Sequence, residues 1–257
     1  PYPGEGMPRQ LTDHPEAYRR GGVGSRGDRE RSNMPKGSPE LTSARREEIV
    51  SACEKLYQTM SFKDITIRDI GNATSFGRTS IYNYFQTKEE IFLALLQREY
   101  EAWTEDLTQL AAAPDSCGSL AAGLAETLSR RELLLKIMRM NHFEMEENSR
   151  EERLVEFKTA YGASMQAVLR CLDVFCPEMG EREKREFLYI FFPFLYGVYP
   201  YAEISAKQRR ALETARIPFV YQSVYEMIYT FLQKVLGSEK SAVPPDGKRR
   251  GTMENRA

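Results

Sequence analysis

The chain has 257 residues, enough for one or two domains with a sizeable buried core. Hydrophobic residues make up 41% and charged residues 28%, and 36 basic side chains against 37 acidic ones leave a formal charge of −1. That balance excludes a global polyanion-binding surface, so any affinity for nucleic acid rests on local placement of charge and on motif.

In chain order, residues 1–40 hold seven glycines and six prolines with few apolar side chains. Such a segment cannot bury enough surface to offset its ordering entropy and is expected to be disordered. It has no uninterrupted apolar run of the signal-peptide kind, and Met34 is a candidate translation start. A first helical domain is expected over 41–92, a second over 93–237, and a loose tail over 238–257. In the first helix Ile49, Cys53, Leu56, Tyr57 and Met60 form one apolar stripe. Capping-box patterns at Thr66–Asp69, Thr87–Glu90, Ser149–Glu152 and Ser205–Gln208 mark helix starts. No alternating run bounded by hairpin turns appears, so the fold class is all-α, with about nine helices. The apolar stretch 187–202 falls short of the ~20 residues of a membrane span, and Pro193 is expected to kink or interrupt its helix. Cys53, Cys117, Cys171 and Cys176 stand without a CxxC pair, and His14 and His142 are the two histidines. Reduced thiols in a cytoplasmic protein, with no metal and no cofactor, are therefore expected.

The informative stretch runs from Thr66 to Phe85. It reads as a short capped helix (66–73), a tight turn (74–77) and a second short helix (78–85). Ile67, Ile70 and Ala73 point inward on the first helix. Phe76 anchors the turn, and Ile81 and Phe85 hold the second helix. Arg78, Thr79, Ser80, Tyr82, Asn83 and Tyr84 remain as outward side chains, none of them acidic. A helix entering a major groove needs that character, because base edges are read by polar groups and phosphates repel carboxylates. A helical hairpin with a polar surface inside a larger bundle would give the same pattern.

The run from Ile49 to Leu96 resembles the DNA-binding domain of the tetracycline-repressor (TetR) family. The match is carried by Ala52, Leu56, Tyr57, Phe62, Thr66-Ile67 and Ile70, then by Ile81-Tyr82-Asn83-Tyr84-Phe85 and Lys88-Glu89-Glu90-Ile91. Ser61 and Ser75 stand where the family usually has glycine, Thr74 replaces alanine, Gly77 replaces the serine cap, and Thr79 replaces a glycine. The resemblance implies a homodimer that binds a palindromic operator in double-stranded DNA. Arg78, Ser80, Tyr82, Asn83 and Tyr84 would make groove and backbone contacts, with phosphate contacts from Thr66, Lys88, Arg45 and Arg46. Over residues 34–92, eight basic side chains face eight acidic ones, so binding depends on which face each charge occupies.

Beyond about residue 117 no motif is specific. The resemblance implies a small-molecule effector pocket and a dimer interface built on the last two long helices. Trp103, Met138, Met140, Phe143, Phe157, Tyr161, Met165, Phe191 and Phe194 are candidate pocket residues, suited to a lipophilic effector. On the final helix, Val220, Val224, Met227, Ile228, Phe231 and Val235 form one stripe and Tyr221, Tyr225 and Tyr229 a second. Tyr221, Tyr225, Ile228, Tyr229 and Leu232 are the candidate dimer contacts. The expected function is a ligand-released transcriptional regulator, with no membrane partner. An enzyme using the aromatic cavity would need a nucleophile–base pair or a metal cluster, which the sequence does not offer. A regulator answering to a protein partner remains a further reading.

Overall fold

The computed structural model describes residues 38–116, 118–140 and 142–237. The two segments expected to be disordered therefore lie outside the described residues, apart from 38–40, where Ser38 and the first residues of a helix are described. Cys117, Asn141 and the side chains of His142 and Phe143 lie outside them as well. All described elements are helical: α1 (Pro39–Thr59), α2 (Ile67–Asn72), α3 (Arg78–Ile81), α4 (Lys88–Ala112), a 3₁₀ turn (Pro114–Ser116), α5 (Leu120–Ser129), α6 (Glu132–Met138), α7 (His142–Glu147), α8 (Glu151–Phe175), α9 (Glu181–Ala202), α10 (Ala206–Thr214) and α11 (Val224–Val235). The sequence suggests about nine helices, whereas the described residues form eleven α-helices. Short α6, α7 and α10 carry too few turns for periodicity to separate them from their neighbours.

Ser38 caps α1 by accepting the Leu41 N–H, and Pro39 occupies the first turn, where a missing donor costs nothing. Ile49, Cys53 and Tyr57, spaced four residues apart, are buried on its inner face. Arg98 of α4 clamps α1 by pairing with Glu47 and Glu54. α4 is the spine that leaves the N-terminal helices and enters the body of the protein. α8 packs along it in parallel, for Arg150 meets Glu90, Phe157 and Tyr161 lie beside Tyr100, and the Cys171 thiol reaches the Leu107 carbonyl. Between them and α9 lies an aromatic core around Trp103, whose indole N–H donates to the Thr127 hydroxyl at 3.2 Å. α11 closes the body against α5 and α9.

Pro193 does not interrupt α9, which runs through both Pro193 and Pro200. The carbonyl that Pro193 leaves without its helical donor belongs to Tyr189, which is 77% exposed, so water can satisfy it. Capping boxes close at Thr66–Asp69 and Ser205–Gln208, and a further one at Ser223–Glu226 opens α11. At Ser149 the expectation fails. α8 begins from Arg150 with no side-chain cap, and the Ser149 hydroxyl donates back to the Met145 carbonyl of α7.

Candidate nucleic-acid interface

The turn between α2 and α3 lacks the family's usual glycine and is built without one. No described residue from Ser61 to Ser75 has a positive φ. Instead the Thr74 hydroxyl lies 3.0 Å from the Gly71 carbonyl and 2.6 Å from that of Phe76. The Glu48 carboxylate of α1 accepts from the Ser75 backbone N–H and hydroxyl. At Gly71 the two helices nearly touch, for a Cβ placed there would meet the Arg78 Cα at 2.9 Å. Glycine is needed here for close approach rather than for turn conformation. After Met60 the chain turns on Ser61, whose carbonyl accepts from Asp64 and Ile65, so no C-terminal glycine is required there.

α3 spans one turn, Arg78–Ile81, and a chain of turn hydrogen bonds carries it through Tyr84 and Phe85. Arg78, Thr79 and Asn83 are exposed, Tyr82 is 39% exposed, and Ser80 is half-buried. The Arg78 guanidinium lies 5.9 Å from the Tyr82 ring centroid. No acidic residue lies between Ile70 and Lys88. Tyr84 differs from the sequence reading: its ring is buried against Phe76, and its hydroxyl accepts a hydrogen bond from Arg45 at 3.4 Å. Arg45 itself lies over the Phe76 ring. Thr66 is exposed but committed to capping α2, with its side chain and backbone N–H both bonded to Asp69. The Lys88 ammonium turns inward, donating to the Phe62 and Ile65 carbonyls at 2.8 and 3.2 Å and sitting over the Phe62 ring. Arg46 pairs with Glu156 of α8 at 2.8 Å. The structure therefore leaves Arg78, Thr79, Tyr82 and Asn83 exposed, half-buries Ser80, and gives Lys88, Arg46 and Tyr84 structural partners.

The candidate pocket residues fall into separate places. Trp103, Phe157, Tyr161 and Phe191 share the aromatic core with Tyr100 and Phe192, which the sequence reading did not single out. Tyr100 stands one turn before Trp103 on α4, a spacing that was visible. Met138 is fully buried and Met165 partly buried. Phe194 leaves the group to stack on Phe231 of α11 at 3.8 Å. Met140 lies under the Tyr57 hydroxyl, beside a cavity of about 510 Å³ between the end of α1 and α6–α7. Phe143 is outside the described side chains. Val220 and Tyr221, expected on the final helix, precede α11 and are exposed; on α11 Tyr225 and Tyr229 stack on each other at 5.7 Å, while Ile228 and Leu232 are buried within the protomer. The exposed apolar face that sequence reading missed is on α9, where Tyr189, Ile190 and Tyr201 are 77%, 49% and 62% exposed.

Three N-terminal helices with two of them meeting at a glycine, joined by one long helix to a helical body, define a helix-turn-helix regulator. The family description for bacterial regulatory proteins of the tetR family matches residues 49–95, and that for the tetracyclin repressor-like C-terminal domain matches residues 97–232. The chain belongs to the TetR family of DNA-binding transcriptional regulators. A solved structure, that of SmeT, the repressor of the Stenotrophomonas maltophilia multidrug efflux pump SmeDEF, is similar at 17% identity. The likeness covers 74% of this chain and 91% of that one, with a TM-score of 0.36. No curated relative matches the chain. No helix among the described residues is long and apolar enough to cross a membrane.

Proposed function

We propose that the protein is a homodimeric repressor that sets two copies of the Arg78–Asn83 segment into successive major grooves of a palindromic operator. The observation that carries this reading is the exposed, acid-free face of Arg78, Thr79, Tyr82 and Asn83, held by the α2–α3 contact at Gly71. Arg78 and Asn83 present hydrogen-bonding groups suited to base edges, and Tyr82 a hydroxyl for the backbone. Arg45, half-buried and donating to the Tyr84 hydroxyl within the same helix-turn-helix, is the further phosphate candidate.

Dimerisation rests on the α9 face, because Tyr189, Ile190 and Tyr201 are exposed apolar side chains on one helix. In the same reading a lipophilic effector binds at the aromatic core around Tyr100, Trp103, Phe157 and Tyr161 and releases the DNA. Ligand and DNA would then favour different states of one equilibrium. In-vitro selection from random duplexes tests the reading. Enrichment of one palindrome bound by two protomers is the expected result, and no enrichment at low salt with folded protein overturns it. Release of that duplex by members of a lipophile panel tests the effector; release by a protein partner alone would favour the second reading.

A further inference from the structure

We infer that α8 is the lever through which the effector domain sets the pose of the recognition segment, with Arg150 as its positioning residue; this rests on the DNA-binding reading above. The first turn of α8 grips the far end of the helix-turn-helix. Arg150 donates its backbone N–H and Nε to one oxygen of Glu90 at 3.1 and 2.7 Å, and Nη2 to the other at 2.8 Å. Glu90 is fully buried, and its second oxygen also accepts the Gln86 N–H at 2.7 Å. From the same turn, Nη2 of Arg150 and Nη2 of Arg153 both reach the Tyr84 carbonyl, at 3.2 and 3.4 Å. Glu156 joins Arg153 to Arg46 of α1, and both of those guanidiniums lie over the Phe85 ring. The Thr87 hydroxyl completes the link by donating to the Asn148 carbonyl.

This junction fixes where the recognition segment ends. A buried carboxylate that loses its partners is costly, so Tyr84–Glu90 and the start of α8 move together or the charge is stranded. Seven and eleven residues further along the same helix, Phe157 and Tyr161 stand in the aromatic core beside Tyr100. A displacement of α8 by a molecule entering that core therefore arrives at the Tyr84 carbonyl. α4 is held from the same point, so both helices that enter the body answer to one junction.

The full chain is compared with Arg150→Gln and Arg150→Lys by hydrogen–deuterium exchange. In Arg150→Gln the amides of residues 82–90 are expected to exchange about tenfold faster or more, with α5 and α11 unchanged and Arg150→Lys between the two. Exchange of 82–90 within about twofold of the parent overturns the inference, as does uniform acceleration along the whole chain, the mark of a merely structural contact. Should Arg150→Gln fail to fold, Arg150→Lys carries the same comparison. A second arm reads the junction backwards through Trp103, the chain's single tryptophan, which is fully buried in the aromatic core. A duplex selected by the parent is expected to shift Trp103 emission in the parent and not in Arg150→Gln at saturating DNA. A shift kept in the variant overturns the inference. Absence of any selected duplex overturns the operator reading instead, and the exchange comparison still decides the lever.

Discussion

Replacing Gly71 by alanine puts a methyl group 2.9 Å from the Cα of Arg78, and neither backbone can yield without separating α2 from α3. We expect Gly71→Ala to cost about 1–3 kcal/mol in chemical denaturation and to weaken operator binding beyond that loss. Arg78→Ala should reduce operator affinity by about 1–3 kcal/mol with little change in stability, because its guanidinium is exposed. Lys88→Met should do the reverse: it strands two carbonyls, costing about 1–3 kcal/mol of stability, and leaves the salt dependence of DNA binding unchanged. The outward residues of α3 were legible in the sequence, since no acid interrupts them. The inward turn of Lys88 and the burial of Tyr84 were not. Their partners, Phe62 and Arg45, lie 26 and 39 residues away, beyond what periodicity reports. Burial pushes the Cys53 thiol up to about 12, so a thiol reagent at neutral pH should leave it unlabelled in native protein and modify it after unfolding.

Among the elements, α1 and the body of α11 were legible because their apolar stripes repeat over several turns. Capping-box patterns found three helix starts but misplaced Ser149, since a serine hydroxyl serves the preceding helix as readily as the next one. What joins the elements was invisible, because the α4–α8 junction couples Glu90 to a residue 60 positions on. Burial alone would raise the Glu90 carboxyl, but hydrogen bonds from Arg150 and the Gln86 N–H outweigh it and hold the group below its ordinary 4.5. A carboxyl lowered on folding contributes stability that is present above its unfolded value and lost as pH falls through its folded one. The stability gap between parent and Arg150→Gln should therefore be widest where Glu90 is ionised in both proteins, begin to close as pH falls through the carboxyl's raised value in the variant, and vanish once the parent's lowered one is passed. Denaturation midpoints across that fall in pH check the sign. A gap that widened in acid would place the stabilising charge elsewhere.

At the scale of the whole molecule, the all-α class followed from the absence of alternating runs along the chain, and the family from about 50 contiguous residues of its N-terminal part. The body gave no such motif, because a helical core constrains hydrophobicity and volume more than identity. An association surface has to be read from exposure, and there α9 offers Tyr189 and Ile190 where the sequence reading favoured α11. The double variant Tyr189→Glu with Ile190→Glu should sediment as a monomer and lose affinity for a two-half-site duplex while keeping its helical content. A dimer that survives would move the interface to the tyrosines of α11.

α10 buries no residue of its own, and the strand of chain that follows it turns at Arg216 with φ of 54° before Ser223 opens α11. The protomer's core closes on either side without it. Within the described residues, brief trypsin treatment should thus cut first at Lys207, Arg209, Arg210 or Arg216 and leave two pieces that stay together in gel filtration. The same indifference makes this segment a permissive site: length, charge and even an inserted tag can change there across generations or on the bench while selection acts on the rest.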